Sequence, residues 1–199
     1  MAVLKPLPKP PAIMRHRSTV ADLYRLHEEN GPGSTRRMEL IDGEIIDMMP
    51  PGPFHSGITE EAVEIIRSKI SADLRVRSQN PISINKHNEP QPDIAIVEKR
   101  QDSYTISHPT PDDIRLIIEI SDSSLDYDLN VKRLIYAKAE IEEYWVMDVQ
   151  DRELHLFRRP WQGDYTAHLS FKDDDEIQCS TIPELKLSVR EMLPAICWK

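Results

Sequence analysis

The sequence predicts an α/β (α+β) fold, with a central mixed β-sheet flanked by helices and an additional antiparallel meander. Three observations support this prediction. The run IRLIIEIS, residues 114–121, is apolar on both faces in its middle, which indicates a central strand covered on both sides. A helical pattern separates it from a second apolar run, residues 142–148, so we expect two parallel neighbouring strands. Two alternating segments, residues 154–158 and 165–171, are typical of a meander.

Length, charge and cysteine content limit the class of protein. A chain of 199 residues can bury a full core, and we expect one domain over residues 18–199 after a flexible Pro-rich arm over residues 1–17. The net charge of −9 argues against broad electrostatic adhesion to nucleic acid, but not against a local basic groove or a metal-mediated contact. Cys179 and Cys197 form no CxxC pair, which favours a reducing cytoplasm. Neither a signal peptide nor a membrane-length apolar run is visible.

The first elements are a helix and a hairpin. Ser18 or Thr19 can cap a helix that ends at Asn30, with a buried stripe at Val20, Leu23, Tyr24 and Leu26. Residues 37–41 and 44–48 alternate around Asp-Gly, which suits a two-residue hairpin turn. Glu39 lies on the first of these strands, where a glutamate is commonly exposed or paired with a neighbouring residue.

A helix is predicted next over residues 54–73, after the breaking run PPGP. His55 stands at its beginning, where a histidine is commonly a cap or a surface residue. Strand pieces at residues 74–79 and 82–85 lead into the apolar run that begins at Asp93. The long segment 98–113 has no clear pattern, and we expect it to border the functional site because long loops are often functional.

Two apolar runs each carry one carboxylate, Asp93 at the start of one and Glu119 near the end of the other. An unpaired carboxylate at a buried strand end is costly, so a cation or a donor is expected beside Glu119. If the two strands are antiparallel neighbours, the start of one lies beside the end of the other, and both carboxylates face one point. Two carboxylates with a backbone carbonyl and waters suit Mg²⁺ or Mn²⁺. Such an ion can generate hydroxide and stabilise charge on a phosphorus centre.

A helix with a lysine follows the second carboxylate. The segment DSSLDYDLN is rich in capping residues, and we expect Asp126 or Asp128 to cap this helix. Its apolar stripe is predicted at residues 131, 135 and 139, with Tyr136 at the rim. Lys132 lies one position beyond the stripe and is either solvated or directed into the site. Trp145 is expected in the core, and a strand piece and short helix close the pattern over residues 185–193.

The order of these motifs resembles the PD-(D/E)XK restriction-endonuclease-like superfamily. Pro92-Asp93 and Glu119 match its metal-binding positions, whereas Ser121 stands where its lysine is expected. The chain is more similar to the Uma family within that superfamily, which is described as bacterial nucleases. The shared motifs are an ELIDGEI hairpin, a PPG loop with a nearby His, PD, an E-x-S strand, a helix carrying Lys, and EYW-x-x-D.

This resemblance implies a restriction-endonuclease-like core and a Mg²⁺-dependent (or Mn²⁺-dependent) endodeoxyribonuclease. Asp93 and Glu119 would bind the metal, and Lys132 would replace the missing lysine. Glu39, if it is not simply an exposed or paired strand residue, would assist as a third acidic ligand, and His55 would assist by contacting substrate phosphate. DNA would be the substrate of a cytoplasmic homodimer. Two alternatives remain: a catalytically inactive binding or oligomerisation module, and a metal-dependent enzyme acting on a small phosphoester.

Overall fold

Six strands form the central sheet of the computed structural model, which describes residues 16–31 and 36–193. Their order across the sheet is β3-β4-β5-β6-β7-β8. The strands are β3 (Leu74–Ser78), β4 (Ile94–Glu98), β5 (Ile114–Ser121), β6 (Glu143–Asp148), β7 (Glu153–Trp161) and β8 (Asp164–Lys172). The sheet is mixed and continues into an antiparallel meander, as the sequence predicts. Most of the predicted N-terminal arm, residues 1–15, lies outside the described residues.

The register of the sheet brings the two carboxylate-bearing strands together. β4 pairs antiparallel with β5, so that Ile94 lies opposite Ile118, and β5 pairs parallel with β6. The parallel pairing agrees with the prediction, and the antiparallel pairing is the condition under which Asp93 and Glu119 are expected to meet. The register of β4 and β5 shifts between Ile96 and Val97, and Val97 lies opposite Ile114. Ile114 therefore packs with Ile117 and not, as strict alternation predicts, on the other face with Leu116.

Helices cover both faces of the sheet. On one face the core includes residues of α2 (Pro53–Lys69) and α5 (Val189–Met192), together with Trp145 at its predicted place in the core. The other core contains α4 (Arg133–Lys138). α2 is shorter than the predicted 54–73 because Ile70 already has extended backbone, with φ −99° and ψ 158°.

The predicted hairpin lies outside the large sheet. Its strands β1 (Arg37–Ile41) and β2 (Glu44–Met48) pair around Asp42-Gly43. Leu40 forms an isolated bridge with Glu89, which attaches the hairpin to the segment before β4. Residues 82–85 were predicted as a strand, but Asn85 makes only a local bridge to Asn88 and the segment forms no named strand.

The remaining elements agree with the sequence except in detail. α1 (Val20–Glu29) is capped by Thr19, as predicted, but Tyr24 is exposed and does not belong to the buried stripe. The predicted strand near the C-terminus is β10 (Lys186–Ser188), and it pairs with β9 (Glu176–Gln178), which the sequence analysis did not identify. None of the helices in the described ranges is long and apolar enough to cross a membrane.

Candidate active site

The start of β4 and the end of β5 place Asp93 beside Glu119. The Asp93 backbone N–H donates to Glu119 Oε2 over 3.2 Å, and the backbone N–H of Ile120 donates to Asp93 Oδ2 over 2.9 Å. Both bonds depend on the antiparallel register, because it sets the first residues of β4 next to the last residues of β5. The structure thus brings the two predicted metal ligands to one end of the sheet.

Lys132 enters this cluster from the helical segment after β5. The segment consists of α3 (Leu125–Tyr127), a π-helical turn (Asp128–Lys132) and α4. Lys132 is only 5% exposed, and its Nζ donates to Glu119 Oε1 over 3.0 Å. The same Nζ lies 3.5 Å from Glu39 Oε2 and 3.9 Å from Asp128 Oδ1. Of the two readings that the sequence left open for Lys132, the structure favours the one directed into the site.

The predicted apolar stripe of this segment is wrong at its first position. Val131 is 37% exposed, whereas Asp128 and Lys132 are buried. A π-helical turn carries one extra residue per turn, so it changes which side chains face the sheet. Tyr136, predicted at the rim, is fully buried in the core.

Glu39 reaches the cluster from β1. Its side chain is buried, and its Oε2 accepts from the backbone N–H of Gln91 over 3.3 Å. The bridge between Leu40 and Glu89 fixes this approach, since it holds β1 against the segment that leads into Asp93. Glu39 is therefore a paired, buried member of the cluster, while Glu44 near the turn is exposed.

His55 lies in the first turn of α2. Pro53 occupies the start of this helix, where a missing N–H costs nothing, and the helix directs His55 towards β4. His55 Nε2 lies 3.1 Å from Asp93 Oδ2, and Thr59 Oγ1 donates to the His55 carbonyl over 2.8 Å. The hydrogen bond with Asp93 raises the pKa of His55, although burial opposes it. His55 thus contacts a predicted metal ligand directly.

Two further side chains complete the cluster, and sequence reasoning gave them other roles. Asp128, expected as a helix cap, is buried and accepts from Ser121 Oγ over 2.8 Å. Tyr136 donates its hydroxyl hydrogen to Glu119 Oε1 over 2.8 Å. The sequence does contain a signal for both, because residues 128, 132 and 136 are spaced by four and four-residue neighbours share a helix face.

The electrostatics of the cluster are dominated by burial. Burial raises the pKa of Glu119 to about 8, with further contributions from the neighbouring carboxylates, although Lys132 opposes them. Burial lowers the pKa of Lys132, but Glu119, Glu39, Asp128 and Asp93 together raise it well above its usual value. For Asp93, burial is outweighed by its bond to His55, so its pKa is lowered.

A cavity of about 360 Å³ opens onto these side chains. Its wall includes the five predicted site residues and, at the rim, the segment 48–52 and the segment 122–124. The loop over residues 98–113 does not line it, contrary to prediction; its middle lies on a separate cavity with Tyr24 and Glu89. The reason is the direction of β4, because this loop follows the end of the strand opposite to Asp93.

The donor set suits a hard divalent cation. Across residues 16–31 and 36–193, no group of three His, Cys, Asp or Glu side chains is arranged so that all three could bind one metal ion. Mg²⁺, however, commonly takes only one or two carboxylates and completes its shell with water and substrate oxygens. Asp93 and Glu119 provide such a pair. The cluster also holds four buried or nearly buried carboxylates against one lysine and one histidine, a surplus of negative charge that a cation would offset.

Comparisons with known proteins agree with this architecture. A family model, Uma2, described as "Putative restriction endonuclease", matches residues 20–190. The fold is similar to a crystal structure described as "a putative nuclease belonging to DUF820 from Anabaena variabilis ATCC 29413", with a TM-score of 0.68. The two chains are 22% identical, and the match covers 87% of this chain and 96% of that one, so this likeness concerns the fold. No curated protein matches the chain.

Proposed function

Because the chain belongs to the Uma2 family, as the order of its motifs predicts, we propose that it is a metal-dependent endonuclease that hydrolyses phosphodiester bonds in DNA. One observation carries this proposal. Lys132 reaches Glu119 from the neighbouring helix over 3.0 Å, whereas the strand itself offers only Ser121 at the usual position of the lysine. The arrangement supports a PD...ExS...K site in which the lysine has moved to the helix.

Asp93 and Glu119 would hold Mg²⁺ or Mn²⁺, which when bound would supply Lewis-acid chemistry at the phosphorus centre. His55 restrains Asp93 through the 3.1 Å contact of its imidazole. Glu39 acts on Lys132, because its carboxylate lies 3.5 Å from Nζ and limits where the ammonium group can point. Glu39 is therefore a positioning residue.

Lys132 acts as a donor and as a positive charge. The surrounding carboxylates raise its pKa well above the usual value despite its burial, so the amine is protonated and has no free electron pair. It can donate to an attacking water or to a phosphate oxygen, and its charge offsets the charge that develops on the phosphate.

The test is cleavage of plasmid and single-stranded DNA with Mg²⁺ or Mn²⁺. Asp93→Asn and Lys132→Met should each lower the rate by at least about a hundredfold, since each removes a charge that acts in the transition state. Two matched controls are Asp112→Asn and Lys138→Met, which change exposed residues outside the cavity wall and should cleave like the wild type. Equal cleavage by wild type and Asp93→Asn would refute the assignment.

A non-catalytic binding or oligomerisation module is the second candidate function. It is favoured by the position of Lys132 Nζ between Glu119 and Glu39, which is also what a purely structural buried ion-pair network requires. The two functions differ in their response to metal. A nuclease site should raise the melting temperature with Mg²⁺ in the wild type but not in Asp93→Asn, whereas a module should show no such difference.

A further inference from the structure

Arg37 lies on the wall of the active-site cavity, and its guanidinium pairs with no carboxylate in the part of the chain that the structure describes. Among the same residues, three side chains that can carry a positive charge line this cavity. His55 contacts Asp93 and Lys132 contacts Glu119, but within residues 16–31 and 36–193 no ion pair involves Arg37. A half-buried guanidinium without a carboxylate, beside a cavity that holds several, is well placed to meet an anion that enters from solvent.

Two glutamine side chains hold this guanidinium. Arg37 Nη1 donates to Gln79 Oε1 over 3.3 Å, and Nη2 donates to Gln91 Oε1 over 3.4 Å. Both acceptors are neutral amides, so they orient the guanidinium without cancelling its charge. Arginine presents five N–H donors, and these two contacts leave others for a ligand.

Gln79 and Gln91 also connect Arg37 to the proposed catalytic residues. Gln79 Nε2 lies 3.4 Å from Asp93 Oδ1, and its backbone N–H donates to the Asp93 carbonyl over 3.0 Å. Gln79 has a positive φ of 53°, a conformation that costs a non-glycine residue energy and persists where the surroundings impose it. The backbone N–H of Gln91 donates to Glu39. Arg37 is therefore fixed relative to Asp93 and Glu39 alike.

The position of Arg37 on β1 suggests which part of a substrate it meets. Arg37 and Glu39 are two residues apart on one strand, so they share a face and are separated by about 7 Å. This distance sets Arg37 away from the reacting centre but within the same cavity. A guanidinium there can bind a phosphate oxygen of a strand whose next phosphate lies at Asp93 and Glu119.

We propose that Arg37, oriented by Gln79 and Gln91, binds a non-reacting phosphate of the nucleic-acid strand that is cleaved. The inference rests on the proposed function. It assigns the neutral-amide cradle a role in positioning the substrate. The residue contributes to substrate binding through one phosphate contact.

The first test measures DNA binding at several salt concentrations, with Ca²⁺ in place of Mg²⁺. The ligand is an intact fluorescent duplex that contains a site at which the wild type cleaves. Arg37→Gln should bind about tenfold more weakly than the wild type, as expected for loss of a charged hydrogen bond. The slope of log K against log salt should fall by about 0.9, because one phosphate contact is lost. The matched control is Arg75→Gln, since Arg75 also has neutral partners on Ser103 but lies outside this cavity.

The second test identifies the phosphate. Binding is measured to a series of duplexes, each of which carries one neutral methylphosphonate linkage at a different position. At one position near the scissile bond, this change should weaken binding by wild type and Arg75→Gln but not by Arg37→Gln, since the contact is already absent. If Arg37→Gln fails to fold, Arg37→Lys takes its place in this test. The methylphosphonate at that position should then weaken DNA binding by Arg37→Lys less than it weakens binding by the wild type, because lysine lacks the fork geometry of arginine.

The outcomes separate this inference from the proposed function. If the wild type neither binds nor cleaves DNA, the nuclease proposal and the role of Arg37 are both wrong. If the wild type and Arg75→Gln bind and cleave, while the Arg37 variant shows an unchanged salt slope and the same methylphosphonate profile, the role of Arg37 alone is overturned. The role of Arg37 is supported if the Arg37 variant shows a reduced salt slope and if one methylphosphonate position weakens binding by the wild type but not by Arg37→Gln.

Discussion

At Glu119, burial and the charge of Lys132 have opposite effects on the pKa of the carboxyl group. Its carboxylate accepts from Lys132 and Tyr136 on one oxygen and from the Asp93 backbone on the other, so its hydrogen-bonding capacity is well used. The neighbouring Asp93, Glu39 and Asp128 nevertheless give the cluster more negative than positive charge. The free energy of unfolding therefore depends on whether Glu119 carries a proton.

Glu119→Gln should make this dependence measurable. The pKa of Glu119 is about 8 in the folded protein against 4.5 as the reference value, so the folded state binds its proton more tightly than the unfolded state. Between these pH values the wild type should lose stability as the pH rises, by about 4 kcal/mol. The variant lacks this titration, so urea unfolding at pH 5 and pH 8 should show a smaller decrease. Parallel decreases in the two proteins would contradict the prediction.

The sequence identified five residues of the cluster but not their hydrogen-bond partners. Asp93 and Glu119 could be placed together because strand pairing follows from the pattern of apolar runs. Asp128 was given a local capping role, because its partners Ser121 and Lys132 become neighbours only when the helix packs on the sheet. Gln79 and Gln91 carried no signal at all, since a polar residue in a loop has many solvated alternatives.

At the scale of elements, the β1–β2 hairpin holds five of the residues that line the cavity, among them Arg37 and Glu39. A two-stranded hairpin is marginal by itself, so its position depends on what it packs against. The turn is held from both sides: Ser18 N–H donates to the Gly43 carbonyl, and Gly43 N–H donates to the His87 carbonyl, each over 2.9 Å. The turn therefore helps to set the orientation of Glu39 and Arg37.

Gly43→Ala tests this dependence, with Gly31→Ala as a matched control. Both glycines have positive φ, +81° and +80°, so alanine strains the backbone at either by about 1 kcal/mol. A Cβ at Gly43 would also lie 2.6 Å from Arg17 Cβ, whereas a Cβ at Gly31 would have no heavy atom of the described residues within 4 Å. Urea unfolding should show a larger loss for Gly43→Ala, and DNA cleavage should fall in that variant alone. Equal losses and equal activities would show that the turn does not position the site.

The π-helical turn marks the limit of prediction at this scale. A helix carrying Lys132 follows from the sequence, but its face does not, because regular α-helical periodicity puts Val131 and Ile135 together on the buried side. The extra residue in the turn exposes Val131 and buries Lys132. The contacts of Lys132 with three carboxylates favour this register, and these contacts cannot be read from the helix alone.

At the scale of the whole molecule, the parallel pairing of β5 and β6 follows from the sequence, because a helical crossover constrains it, whereas the order of all six strands does not. β8 ends the sheet, and its outer edge pairs with no other strand of the described ranges. Leu169 on β8 is 46% exposed, and Trp161, at the end of β7 opposite the first residue of β8, is 69% exposed. Open edges with exposed apolar side chains favour association with another chain. We propose that β8 forms the interface of a homodimer.

Light scattering on Leu169→Glu and Trp161→Glu should therefore give the mass of one chain where the wild type gives two, because a buried charge at an interface is costly. The matched control is Ile106→Glu, because Ile106 is 84% exposed on the loop that follows β4 and not on β8. This control should have the same mass as the wild type. A dimer would present two active sites to one duplex. The dimer-breaking variants should accordingly retain nicking of one plasmid strand but lose most double-strand cleavage. A wild-type monomer, or variants that remain dimeric, would exclude β8 as the interface. Unchanged double-strand cleavage by a monomeric variant would show that this cleavage does not require the dimer.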